Sequence, residues 1–274
     1  LESDAFVTGE STVTFLLFDD LLLSGVLERE SSPMPGVRNC SGRILEKEHG
    51  YFSFSFDDAG RSLTQIEVLE DRIAYIISED TLSGNYYVVE LPLDQVHTAA
   101  SYAPLSAPVP ESGDDLVAME ENDSSAGIDV LVAYTPEAEA WADANRSGIA
   151  NVLAQSLERA NQTFADSEVD LRLRLVLAAP VAYQESGDAN TDLFRATFSA
   201  DFDPDGLDTE GALDELQEWR ESCGADLVVL MTAGANGAAW LMKDPAGDAR
   251  YGFSVVPVQN ADVALVRQTG YNLG

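Results

Sequence analysis

Arg267, Gln268 and Tyr271 are the residues whose types and spacing bear most directly on chemistry. Positions four apart share a helix face, so Arg267 and Tyr271 stand one turn apart with Gln268 beside the first. That is the spacing of a metal-binding helix without metal-binding side chains. A guanidinium keeps its proton and offers no lone pair to a cation. A primary amide cannot take a proton from water, so Gln268 cannot serve as a general base, a role worth ~10²–10⁴ in rate. A lone phenolate beside a guanidinium makes a poor zinc ligand. The chain has 2 histidines, His49 and His97, and neither lies near this stretch. Zinc is held by His, Cys and carboxylates, so none is expected here. A second constellation, Asp201-Phe202-Asp203-Pro204-Asp205-Gly206, places Asp201, Asp203 and Asp205 as in the first half of a calcium loop. The twelfth position, where a bidentate Glu belongs, is Ala212. Calcium and a plain solvated acidic loop are the two readings of it.

The elements that must position these residues can be read backwards along the chain. Val263, Val266, Gly270 and Leu273 recur at spacings of three and four, which predicts an apolar stripe on a terminal helix. Before it come Tyr251-Gly-Phe-Ser-Val-Val-Pro, a strand, and Ala225-Asp-Leu-Val-Val-Leu-Met, an apolar strand buried on both faces. A helix over 213–221 leads into the latter. Val169-Asp-Leu-Arg-Leu-Arg-Leu-Val alternates as a strand with Arg172 and Arg174 on its polar side. A longer helix carries Ile149, Val152, Leu153, Leu157, Ala160 and Phe164 on one face. Ile128-Asp-Val-Leu-Val-Ala-Tyr opens the series and ends at Thr135-Pro136, a capping residue followed by a helix starter. Strand, helix, strand, helix, strand predicts a mixed α/β sheet with crossover helices.

Residues 1–96 have a different character. Short runs rich in aromatic and β-branched residues, separated by Asp-Asp, Pro-Gly, Asp-Asp-Ala-Gly and Ser-Gly-Asn, predict a small antiparallel all-β domain, a meander or sandwich. Its clearest strand is Tyr51-Phe-Ser-Phe-Ser-Phe, whose alternation predicts a buried aromatic face and an open serine face. Residues 97–127 carry prolines at 104, 108 and 110, then Glu111, Asp114, Asp115, Glu120, Glu121 and Asp123 without a basic residue. Such a stretch is a linker, too polar to pack.

Hydrophobic content of 45% marks the chain as globular, and a net charge of −33 from 48 acids against 15 bases argues against nucleic acid and anionic membrane surfaces as partners. No apolar run has the length of a membrane span. The 2 cysteines, Cys40 and Cys223, fit buried thiols or a single bridge.

The phrases Val-Leu-Val-Ala-Tyr-Thr-Pro, Leu-Arg-Leu-Arg-Leu-Val, Gly-Ala-Asp-Leu-Val, Trp-Leu-Met and Phe-Ser-Val-Val, followed by Gly-Tyr-Asn-Leu-Gly, occur in an order that resembles the secreted bacterial reprolysin-like metzincins, a family of zinc metalloendopeptidases. The resemblance implies a propeptide-like β domain at 1–96, a linker at 97–127 where activation cleavage occurs, and the upper part of a peptidase domain at 128–274. It places Arg267 and Tyr271 at the first two zinc-ligand positions of H-E-x-x-H and Gln268 at the general-base Glu. It makes Trp240, Leu241 and Met242 the edge strand along which an extended peptide substrate adds itself. It also implies secretion or a periplasmic location, with a signal peptide removed. With these replacements the expectation is a family member without zinc, any other cofactor or hydrolytic activity. The alternatives are an active zinc endopeptidase whose motif is completed outside these residues, and a peptide-binding or structural acidic protein.

Overall fold

The computed structural model describes residues 11–80, 84–97, 100–101, 103–107, 127–199, 212–243 and 248–274. Asp201, Asp203 and Asp205 lie outside the described residues. Packing divides the chain into two units, Leu1–Thr98 with Ala142–Glu158, and Ala99–Trp141 with Arg159–Gly274. The chain order alone places 142–158 with the second half, whereas its contacts are with the first.

The first unit is a curled, seven-stranded antiparallel meander, β1 Thr12–Phe18, β2 Leu21–Met34, β3 Val37–Ile44, β4 Gly50–Asp57, β5 Ser62–Val68, β6 Ile73–Asp80 and β7 Asn85–Pro92, followed by a short helix α1, Leu93–His97. Each strand pairs with the next, so hairpin connections suffice. One sheet face gathers Phe15, Leu23, Cys40, Ile44, Phe52, Phe54, Ile66 and Tyr75 into a hydrophobic cluster. Phe52, Phe54 and Phe56 stack along β4 with centroids 6.2 and 6.3 Å apart.

The serine face of β4 departs from expectation. Ser55 is fully buried, as are Asn39, Ser41, Glu67 and Ser78 on the same side of the sheet. What covers that face is Ala142–Glu158, the end of α2 (Pro136–Asn145) and the first half of α3 (Ile149–Asp166). Residues 151–158 are buried all the way round, although the sequence marks one apolar side only. The polar stripe Asn151, Gln155 and Glu158, spaced by four and three, meets the serine face.

Both cysteines are free thiols. Burial, with Glu30 next in weight, pushes the Cys40 thiol up to about 11, and its side chain has no exposure. Cys223 is half-buried at the end of a helix. In native buffer an aromatic disulfide reagent is therefore expected to label Cys223 first, with Cys40 reacting only at the rate of unfolding. Equal rates at both sites, read by mass spectrometry, would contradict the packing of β3.

The second unit is a mixed sheet in the order β11, β10, β12, β14, β13, β8, with β9 also on β13. Its strands are β8 Ala100–Ser101, β9 Leu105–Ser106, β10 Gly127–Tyr134, β11 Arg172–Pro180, β12 Leu227–Thr232, β13 Asn236–Leu241 and β14 Phe253–Pro257. β10 is parallel to β11 and β12, and β12 to β14, while β13 runs antiparallel to β14. The mostly parallel interior follows from the apolar runs of β10, β12 and β14, whose residues are nearly all buried. Helices α4 (Ala189–Thr197), α5 (Asp214–Cys223) and α6 (Ala261–Leu273) complete the unit. Thr135 caps α2 as its type predicts, since Ala138 N donates to Thr135 Oγ1 at 3.0 Å.

Candidate functional site

Helix α6 carries Arg267, Gln268 and Tyr271. Arg267 is exposed, Tyr271 half-buried, and Gln268 has no exposure at all. The apolar stripe predicted from Val263, Val266, Gly270 and Leu273 is not the buried face. Burial falls on Ala261, Ala264, Leu265, Gln268, Thr269 and Asn272, and Leu273 is exposed. The helix is thus turned by about one residue, roughly 100°, from the hydrophobicity reading. Hydrogen bonding explains the turn. Asn272 Nδ2 donates to the carbonyls of Trp240 at 3.0 Å, Phe253 at 3.1 Å and Tyr251 at 3.3 Å. Met242 N donates to the Tyr271 carbonyl at 3.0 Å. Beyond Ala239 the pairing of β13 with β14 stops, and the end of α6 takes over its backbone groups. Asn272 is the structural residue that sequence reasoning missed; it sits within Gly-Tyr-Asn-Leu-Gly, where only the flanking positions drew attention.

Two glycines define how α6 meets the sheet. A Cβ at Gly237 would lie 2.5 Å from Gln268 Nε2 and 3.0 Å from the Val255 carbonyl, so the strand must be bare there for the amide to pack. A Cβ at Gly270 would meet nothing within 4 Å. Gly270→Ala is therefore expected to stabilise the protein by about 0.5–1 kcal/mol, the helix-propensity difference. A loss of stability in urea unfolding would show that Gly270 serves a close contact.

The residues on α6 do not fit zinc. Arg267 offers a guanidinium, Tyr271 a phenol and Gln268 a water-excluded amide. Among the described residues no group of three His, Cys, Asp or Glu side chains could hold a metal ion.

Trp240 and Leu241 end β13, and Met242 follows it beside α6. Trp240, however, presents only its backbone there. Its ring packs against Phe194, Tyr251 and Phe198 with centroids 5.3, 5.1 and 5.9 Å away, and Nε1 donates to Thr197 Oγ1 at 2.8 Å. Leu241 and Met242 are half-buried. The outer side of β13 is already in use. Asn236 and Gly237 pair with Ala100 and Ser101 of β8, and Trp240 and Leu241 with Leu105 and Ser106 of β9, both in parallel. Ala107 N then donates to the Leu241 carbonyl at 3.1 Å. Pro104 falls between the two short pairings, and a proline contributes no ladder donor. The self-pairing is consequently short and interrupted.

Elsewhere in this unit an open pocket of about 620 Å³ is lined by Tyr183, Arg195, Leu213, Asp214 and Glu215 among others. Burial raises the Tyr183 phenol to about 12, where its bond to Asp192 adds to the shift and Arg195 opposes it. Tyr183 OH donates to Asp192 Oδ1 at 2.5 Å. Ala212, which stands at the twelfth position of the acidic loop, also lines it.

No protein-family model matches the chain, and no curated protein does. A solved structure described as "Structure of a chaperone-substrate complex" is similar to 55% of the chain, at 18% identity and a TM-score of 0.42. The match spans 24% of that other chain.

Proposed function

We propose that the chain is a metzincin-like protein that binds extended peptide along β13 and does not hydrolyse it. The observation that carries the reading is the outer edge of β13, which accepts a chain segment by backbone pairing in the protein itself. Strand addition draws affinity from main-chain hydrogen bonds and needs no metal. The self-pairing is short and broken by Pro104, so an uninterrupted strand offers more bonds and can displace it. The order of the sequence phrases supports the family reading, and the replacement of imidazole, carboxylate and imidazole by Arg267, Gln268 and Tyr271 supports the absence of catalysis.

The test uses a fluorescent peptide with the sequence of residues 99–108, added to the wild type and to Ala107→Pro. The substitution removes the donor to Leu241 and so loosens the self-pairing. Anisotropy is expected to report tighter binding to the variant by about tenfold, with no cleavage of the peptide. Elemental analysis of the same samples finding one tightly held zinc per chain, with chelator-sensitive peptide hydrolysis, would replace this reading by that of an active endopeptidase. Binding to neither protein leaves a structural role.

A further inference from the structure

The serine face of the meander grips a segment that follows it in the chain only after the acidic linker. Hydrogen bonds reach Ala142–Glu158 from every strand from β2 to β7. Arg29 Nη1, Ser31 Oγ and Ser41 Oγ donate to the Glu158 carboxylate at 3.3, 3.0 and 3.3 Å. Ser55 Oγ donates to the Asn151 carbonyl at 3.4 Å, and Gln155 Nε2 to the Leu63 carbonyl at 2.6 Å. Asn151 Nδ2 donates to the Arg61 carbonyl at 3.3 Å, and Arg61 Nη1 to Asp143 Oδ1 at 3.2 Å. Ser78 Oγ and Tyr87 OH each donate to the Asn145 carbonyl at 3.2 Å, and Glu79 N to Ser147 Oγ at 2.9 Å. Roughly ten direct hydrogen bonds are usual across a specific interface between two proteins. This set is of that scale. The same sheet face buries Leu63, Ala74 and Ile76 among its polar residues, which gives the apolar centre and polar surround that separable partners use.

The aromatic cluster of the meander lies on the opposite sheet face and takes in no residue of 142–158. The sheet therefore has a core of its own, and its hold on the helix segment is a docking contact.

We propose that Ala142–Glu158 is a docking surface for residues 11–97 as a separate piece, so that a chain cut in the acidic linker stays together as a non-covalent pair. Cutting alone then does not release the meander. Release requires breaking the contacts of Asn151, Gln155 and Glu158. The proposal goes beyond peptide binding at β13 and does not depend on it.

The experiment inserts a short recognition sequence for a specific protease after Gly113 of the full chain and cuts it to completion. Gel filtration at micromolar concentration is expected to return both pieces in one peak that separates in denaturant. In the cut protein, Gln155→Ala strands the Leu63 carbonyl and is expected to weaken the pair by about tenfold or more. Ala107→Pro, which disturbs the pairing with β13 and the core of the second unit around it but no residue of the serine face, is expected to leave the single peak intact. Separate elution of the cut wild-type pieces would overturn the proposal. So would separation by Ala107→Pro with Gln155→Ala still co-eluting. Residues 100–107 travel with the meander piece and also pair with β13, so where Gln155→Ala fails to fold the cut Ala107→Pro protein decides the matter: its pieces co-elute if the serine face holds them and separate if β13 alone does.

Discussion

Asn272→Ala is expected to cost about 2–4 kcal/mol of stability, the price of leaving buried carbonyls without donors at roughly 1–3 kcal/mol each. The amide nitrogen has two hydrogens and faces the carbonyls of Trp240, Phe253 and Tyr251. Phe253 has no exposure and Trp240 very little, so water cannot take over at these two without opening the sheet. Asn272→Asp is expected to be worse than alanine, because a carboxylate would turn acceptor oxygens toward acceptors in a buried place. Urea unfolding followed by tryptophan fluorescence checks both, since Trp240 lies at the contact. A loss below about 1 kcal/mol for alanine, the net value of an ordinary hydrogen bond, would mean that α6 is not fastened to β13 through this side chain.

Gly42→Ala is expected to be of similar or larger effect in the first unit, at least about 3 kcal/mol, the upper end for overpacking. A Cβ on Gly42 would run into the carbonyl oxygen of Val26 on β2 and reach Phe52 Cε1 at 3.0 Å. A side chain can turn aside, but a backbone carbonyl inside a ladder cannot. Gly25, across the same strand pair, also abuts the Phe52 ring. The matched control is Gly60→Ala, where a Cβ meets nothing within 4 Å and only the positive φ of 81° opposes the change. That control is expected to lose about 1–2 kcal/mol, the cost of a left-handed residue with a side chain. If Gly42→Ala were the milder of the two in thermal unfolding, the close approach of β2 and β3 would be refuted.

The meander and the mixed sheet are legible in the sequence because both depend on local signals. Aromatic and β-branched runs between Asp-Asp, Pro-Gly and Asp-Asp-Ala-Gly set the hairpins, and the unbroken apolar run of Leu227–Thr232 sets a doubly covered strand. The helices are legible too, but their orientation is not. For α6 the periodicity of Val263, Val266 and Leu273 outweighs Gln268, Thr269 and Asn272, whose partners are carbonyls far away in sequence. For α3 the apolar side is plain, whereas Asn151, Gln155 and Glu158 look solvated until Ser31, Ser41 and Leu63 are brought to them by pairing more than 80 residues distant. A polar residue reads as exposed unless its partner is visible, and distant partners are not. The occupant of the β13 edge is hidden for a further reason. Ala100–Ser106 includes Pro104 and lies in a stretch whose composition is that of a linker.

The candidate site shows the same division. The chemistry that Arg267, Gln268 and Tyr271 do not support follows from residue type alone. The enclosure of Gln268 beside Gly237 and the inward ring of Trp240 are consequences of packing that no local sequence pattern carries. The net charge of −33 also bears on partners, since an incoming strand meets less repulsion when it carries few acids. The self-paired segment Ala100–Ala107 carries none.

Hydrogen exchange across β13, followed while the peptide of residues 99–108 is titrated into the Ala107→Pro protein in metal-free buffer, tests the central claim most directly. Added protection confined to Asn236–Leu241 and its neighbours is the predicted result. Exchange in β13 that stays unchanged at saturating peptide, or slows only once zinc is supplied, would contradict it.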